Sequence, residues 1–139
     1  MKLSTRSRYG LRALIYLANN QDKFPISVRT ISQDEEIPLR YLERIMRILS
    51  QNGFVKAEVG AEGGYRLNKK PEEIVILDVI EALEGKMSLV VCLENANKCK
   101  RLSICLSRPL WKEVNDALKE VLRKYTLKDF ITSKESLEV

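Results

Sequence analysis

Apolar positions first fall in a helical rhythm. Between Ser4 and Asn20, residues Leu11, Leu14, Ile15 and Ala18 recur at i, i+3, i+4 and i+7, which predicts an amphipathic helix capped by Ser4 or Thr5. Phe24-Pro-Ile-Ser27 reads as a linker, and Ser27 is placed to cap a short second helix running to about Glu36. Ile37-Pro38 interrupts the pattern. Pro38 suits the first turn of a third helix, whose Leu39, Leu42, Ile45, Met46 and Leu49 form an inward stripe before Asn52-Gly53 ends it. The rhythm then changes to alternation. Phe54 to Val59 predicts a strand, Gly60-Ala-Glu-Gly-Gly64 a turn, and Tyr65-Arg-Leu67 the returning strand. Two short helices joined by a tight turn, with a longer helix before them and a hairpin after, predict a helix-turn-helix carrying a β-wing.

After Lys69-Lys70-Pro71, the run Ile74 to Glu84 predicts a helix that stops at Gly85 and closes the domain. The next segment has little periodicity. From about Pro109 to Tyr125, residues Leu110, Val114, Ala117, Leu118, Val121 and Leu122 make a continuous apolar stripe on a long helix. Part of that stripe has room to cover the N-terminal domain, but its length calls for a crossed or antiparallel helix pair in a symmetric dimer. The expected fold class is therefore mainly α with a small β-wing. A winged helix-turn-helix domain over residues 1–85 is followed by a cysteine-containing loop over 86–107, then a dimerisation helix and C-terminal tail over 108–139.

Charge singles out the first half. The 139-residue chain has a net charge of +5, but residues 1–70 carry 13 Lys/Arg against 7 Asp/Glu while residues 71–139 carry 11 against 12. A polyanion would bind the basic half. Off the apolar stripe, the third helix presents Arg40, Tyr41, Glu43, Arg44 and Arg47. An α-helix fits the DNA major groove, where arginine bonds guanine in bidentate fashion and glutamate accepts from the cytosine amino group. Arg40, Glu43 and Arg44 are thus candidate readers of base edges, and Tyr41 and Arg47 candidate phosphate holders. The alternative is an ordinary surface helix whose charges form salt bridges. Around the start of the first helix, Lys2, Ser4, Thr5, Arg6 and Arg8 gather donors where unpaired backbone amides also favour an anion, a pattern suited to clamping phosphate. Gly60, Gly63 and Gly64 supply backbone conformations that let the wing tip approach a minor groove, or simply make the turn.

The candidate chemistry is sulfur chemistry. All three cysteines, Cys92, Cys99 and Cys105, lie within fourteen residues of polar, Asn- and Lys-containing sequence. An odd number argues against a disulfide framework, and spacings of six and five residues between the cysteines fit neither zinc knuckles nor a thioredoxin motif. Three thiols in such a segment suit one iron, one cluster or one redox event. Lys98, Lys100 and Arg101 would favour thiolates, either to hold an anionic cluster or to activate bare thiols. The chain has no histidine, which removes Ser/His and Cys/His catalytic pairs and His-ligated zinc, so an enzyme is not expected. No run approaches the length of a membrane span and the start lacks a signal-peptide apolar region, so the expected location is the cytoplasm.

Several segments in combination resemble the IscR-type winged-helix transcriptional regulators, a family of iron–sulfur, nitric-oxide and cysteine-metabolism sensors. They are Leu3-Ser-Thr-Arg-Ser-Arg-Tyr-Gly-Leu-Arg-Ala13, Ile37-Pro-Leu-Arg-Tyr-Leu-Glu43, Gly53-Phe-Val55, Gly60-Ala-Glu-Gly-Gly-Tyr65, Ile80-Glu-Ala-Leu-Glu-Gly85, and the three cysteines followed by Leu110-Trp111. The resemblance implies a homodimeric DNA-binding regulator, a repressor in the leading reading, with the third helix in the major groove of an approximately palindromic duplex. It also implies that Cys92, Cys99 and Cys105 ligate an iron–sulfur cluster, 2Fe-2S in preference to 4Fe-4S, so that residues 86–107 act as a sensor loop. The fourth ligand stays open. Arg108 stands where some members place a histidine, and Arg8 stands in the region where others place an acid; Glu94, Ser103, Ser107, a partner carboxylate or an exogenous group remain. Val59 replaces an arginine that close relatives aim at the minor groove. The alternatives are a clusterless member sensing through bare thiols or a protein partner and, from another class, an iron–sulfur carrier protein.

Overall fold

A computed structural model describes residues 3–86, 88 and 105–132. Five α-helices and one two-stranded sheet are found there, in the order α1 (Thr5–Ala18), α2 (Val28–Glu35), α3 (Leu39–Gln51), β1 (Val55–Glu58), β2 (Gly64–Leu67), α4 (Ile76–Glu84) and α5 (Arg108–Lys124). Lys2, Glu94, Ser103, Cys92 and Cys99 lie outside the described residues, so the expectations that fall on them are not addressed by the structure.

The helix starts follow local chemistry. Ser4 Oγ accepts from the Ser7 amide at the head of α1, and Ser27 Oγ from the Thr30 amide at the head of α2. Between α2 and α3 the chain turns through Glu36, which has φ 53° and so adopts the left-handed conformation that closes a helix sharply. Pro38 sits one residue ahead of α3 rather than inside its first turn. Leu42, Ile45, Met46 and Leu49 of α3 are fully buried and meet Ala13, Leu14 and Leu17 of α1, Ile31 of α2, and Val79 and Leu83 of α4 in one core. Tyr16 of α1 donates to the Asp34 carboxylate of α2. Burial, and then that hydrogen bond, push its phenol up to about 12. The Tyr16 contribution to stability is accordingly full below the ordinary tyrosine value of 10.0 and is lost as pH rises from there through about 12.

The sheet is an antiparallel hairpin in the register Val55↔Leu67 to Glu58↔Gly64. A third stretch joins it. Ile26 in the α1–α2 connection exchanges both backbone hydrogen bonds with Tyr65, at 2.9 and 2.8 Å, so the wing is stitched to the helical core.

The chain after α5 returns to this core, which the sequence pattern did not indicate. A 3-10 turn over Leu127–Phe130 follows a one-residue bridge between Val75 and Thr126, with Ile76 N to Tyr125 O and Leu127 N to Ile74 O both at 2.9 Å. Leu127 is completely buried, and Asn19 at the end of α1 donates to the Phe130 carbonyl and accepts from the Thr132 amide. Leu127→Ala should therefore lower unfolding stability by roughly 2–4 kcal/mol in denaturant titration, as for other buried leucines. A change under about 0.5 kcal/mol, the size of an ordinary surface effect, would show that this turn is not part of the core.

The stripe expected on α5 divides in two. Asn115 is buried, with Leu118 and Leu122 half-buried at i+3 and i+7, and α5 packs on α4. Leu110, Val114, Ala117 and Val121 remain exposed at i, i+4, i+7 and i+11, and Trp111 is exposed beside them. Helix α5 is long enough to carry two apolar faces, and only one is covered by the described residues.

Candidate nucleic-acid interface

Burial of the α3 stripe turns the opposite side of the helix outward. Arg40, Glu43, Arg44 and Arg47 are all exposed. Their side chains make no hydrogen bond or ion pair with the described residues, unlike the exposed charges of α5, where Lys112 pairs with Asp116 and Arg123 with Glu120. The salt-bridged surface helix that the sequence left open is thus not what α3 shows. Among the described residues its cations are uncommitted.

Tyr41 differs. It is half-buried, its ring packs edge-on against Tyr9 at 5.9 Å between centroids, and its hydroxyl lies 3.1 Å from Thr5 Oγ1. Thr5 and Tyr41, assigned separately to phosphate contact, are brought together by the structure into one hydrogen-bonded pair joining the head of α1 to the first turn of α3.

The other candidates at the head of α1 are engaged with α4. Ser4 N donates to Glu84 Oε1 at 2.9 Å, Ser4 Oγ donates to the same oxygen, and Ser7 Oγ does so at 2.7 Å. Arg6 Nη1 donates to the Leu83 carbonyl at 3.0 Å. Hydrogen bonds from Ser4 and Ser7 hold the Glu84 carboxyl below the ordinary glutamate range, with Arg6 adding to the effect. Ser4 and Arg6 therefore have a structural partner that residue type alone did not suggest. Arg8 is exposed.

In the wing, Val59 is fully exposed, with Gly60, Ala61 and Glu62 exposed beside it. The expectation for the glycines holds for conformation only at Gly60, with φ 141°. Gly63 and Gly64 are corrected: neither has a left-handed φ, and what each requires is room. A Cβ on Gly63 would stand 2.7 Å from Glu58 O, and one on Gly64 would stand 2.4 Å from the Ile26 carbonyl. Gly64→Ala should cost roughly 1–3 kcal/mol through the displaced Ile26–Tyr65 bridge. Hydrogen exchange at the Ile26 and Tyr65 amides would report it, and unchanged protection would contradict it.

Of the three cysteines, Cys105 is described. It is half-buried, two residues ahead of Ser107, whose Oγ lies 3.4 Å from its Sγ and accepts from Trp111 Nε1 at 3.2 Å. Arg108 opens α5 and Pro109 lies within its first turn, settling that the proline starts this helix and does not kink it. Among the described residues no group of three or more His, Cys, Asp or Glu side chains is placed to hold a metal.

Residues 3–133 match the family described as Rrf2, iron-dependent transcriptional regulator. The chain belongs to the Rrf2 family of transcriptional regulators. It is 40% identical over 131 residues to protein rrf2 of Nitratidesulfovibrio vulgaris Hildenborough, covering 94% of this chain and 87% of that one. The HTH-type transcriptional regulator CymR of Bacillus subtilis is likewise 40% identical over 129 residues, 93% of this chain and 88% of the relative. The CymR structure, described as that of the global cysteine regulator of B. subtilis, superposes with a TM-score of 0.77 at 39% identity, covering 93% and 95% of the two chains. The structure of T. potens IscR superposes with a TM-score of 0.75 at 30% identity, covering 93% and 85%. These winged-helix relatives establish the fold class, and they are named as regulators, not enzymes. Family membership brings with it DNA binding. Among the described residues no helix is long and apolar enough to cross a membrane.

Proposed function

We propose that the chain is a homodimeric regulator that lays α3 of each protomer in the major groove of an approximately palindromic duplex, and whose DNA affinity is set by its cysteine segment. The observation that carries this reading is the outward face of α3, with Arg40, Glu43, Arg44 and Arg47 exposed and unpaired among the described residues. Arg40, Glu43 and Arg44 read bases, Arg47 and Arg8 hold phosphate, and Thr5 and Tyr41 fix the first turn of α3 beside the backbone. The second copy is the partner that the exposed α5 face fits, because two-fold symmetry matches like with like.

Cys92, Cys99 and Cys105 would hold an iron–sulfur cluster of the 2Fe-2S type. The donor set suits it: three thiols with Lys98, Lys100 and Arg101 close by in sequence, and Cys105 half-buried at the head of α5. When bound, such a group supplies one-electron redox chemistry and sensitivity to oxidants. This chain contributes thiolate ligation and the link from Cys105 into the dimer helix. A second reading, a clusterless thiol sensor, is favoured by Arg108 in place of a further ligand and by the 40% identity to a relative named as a cysteine regulator.

Anaerobic purification with iron and sulfide analysis, followed by titration of a selected duplex, tests both. Bound iron and sulfide that disappear in Cys92→Ser, Cys99→Ser and Cys105→Ser, with a shift in duplex affinity, support the cluster. An iron-free protein whose duplex affinity changes on thiol oxidation supports the second reading. Affinity indifferent to iron, oxidation and all three substitutions would overturn regulation through the cysteines.

A further inference from the structure

Glutamate is poorly placed at the last residue of α4, because the unpaired carbonyls of a helix C-terminus repel an anion. Glu84 holds that position, and its carboxylate is received by the opposite kind of site. The head of α1 presents backbone N–H groups and two serine hydroxyls, and the Ser4 amide, Ser4 Oγ and Ser7 Oγ all converge on Glu84 Oε1. In return Arg6 reaches back to the Leu83 carbonyl, one of those that the end of α4 leaves without a helical partner. Each helix end thus caps the other across some eighty residues of sequence. Between Ser4 and Ser7 lies Thr5, whose hydroxyl meets Tyr41 of α3.

We infer that Glu84 is a positioning residue for DNA binding: by fixing Ser4 and Ser7 it sets Thr5 against Tyr41, and so sets how α3 is presented to the duplex. Glu84 touches no DNA in this arrangement. It acts through the Thr5–Tyr41 pair, and it stands one residue before Gly85, whose φ of 91° ends α4. The inference rests on the DNA-binding reading above.

The test uses the full chain and a duplex selected by the unsubstituted protein from a random-sequence pool. Glu84→Ala should weaken that duplex about tenfold, the scale of one lost charge-assisted interaction. Glu84→Gln, which keeps an acceptor oxygen, should restore most of the affinity. In a double-mutant cycle with Thr5→Val, the losses should fail to add, because both act through one pair. Additive losses, a Glu84→Gln as weak as Glu84→Ala, or a Glu84→Ala that binds as well as or better than the original would each overturn the inference. An original chain that selects no duplex would instead sink the DNA-binding reading on which it rests.

Discussion

Replacing Val114 and Val121 together with glutamate should make the protein monomeric at micromolar concentration and lower its affinity for a palindromic duplex by about a hundredfold or more. Both side chains are already in water within one protomer, at 39% and 51% exposure, so folding should be little affected. In the proposed dimer they would be buried, and four carboxylates in an apolar seam would have no partner to offset their desolvation. Affinity falls because two linked reading heads bind a two-fold duplex far more tightly than one, by factors of about 10² to 10⁴. Sedimentation and circular dichroism read the two halves of the expectation. A variant that stays dimeric would mean that this face is not the dimer contact. A variant that unfolds would mean that the face is covered within the protomer.

Arg44→Ala should weaken the same duplex by about ten- to a hundredfold and relax the base preference at one position in each half-site, with no change in thermal stability. The magnitude follows from the roughly 1–3 kcal/mol that a bidentate arginine–guanine pair contributes to discrimination. Thermal stability should hold because Arg44 is exposed and unpaired among the described residues. Arg47→Ala is the control. If Arg47 is the phosphate contact proposed above, its loss should weaken all sequences alike and reduce the salt dependence by about one counterion, leaving base preference intact. If Arg44→Ala altered neither affinity nor preference, α3 would not be the reading helix.

Apolar patterning made α1, α3 and α4 legible within two residues, helped by the start and stop signals Ser4, Asn52-Gly53 and Gly85, whereas α2, which buries only Ile31, was legible from its Ser27 cap. The hairpin was legible for the same reason, with glycines bounding an alternating run. Helix α5 was found but its faces were merged, since Leu118 and Leu122 are indistinguishable by type from Val114 and Val121, and only packing on α4 separates them. Leu127 was missed because a single 3-10 turn has too few residues to show a period. At the candidate site, the outward arginines followed directly from the stripe. The Ser4 and Arg6 contacts did not, since a serine that caps a helix and one that receives a distant glutamate look alike until residue 84 is brought beside residue 4. Gly63 and Gly64 misled similarly: glycine signals either a backbone angle or a close approach, and what approaches is the Glu58 carbonyl across the turn for Gly63 and Ile26, some forty residues away in sequence, for Gly64.

The most direct test of the central claim, that two copies of this chain read a symmetric duplex through α3, is selection of bound duplexes from a random-sequence pool by the full-length protein, followed by sequencing. The expected result is enrichment of an inverted repeat whose half-site centres are about 34 Å, or a multiple of that, apart along the helix axis. Enrichment of no sequence, or of a single unsymmetrical site, would contradict it.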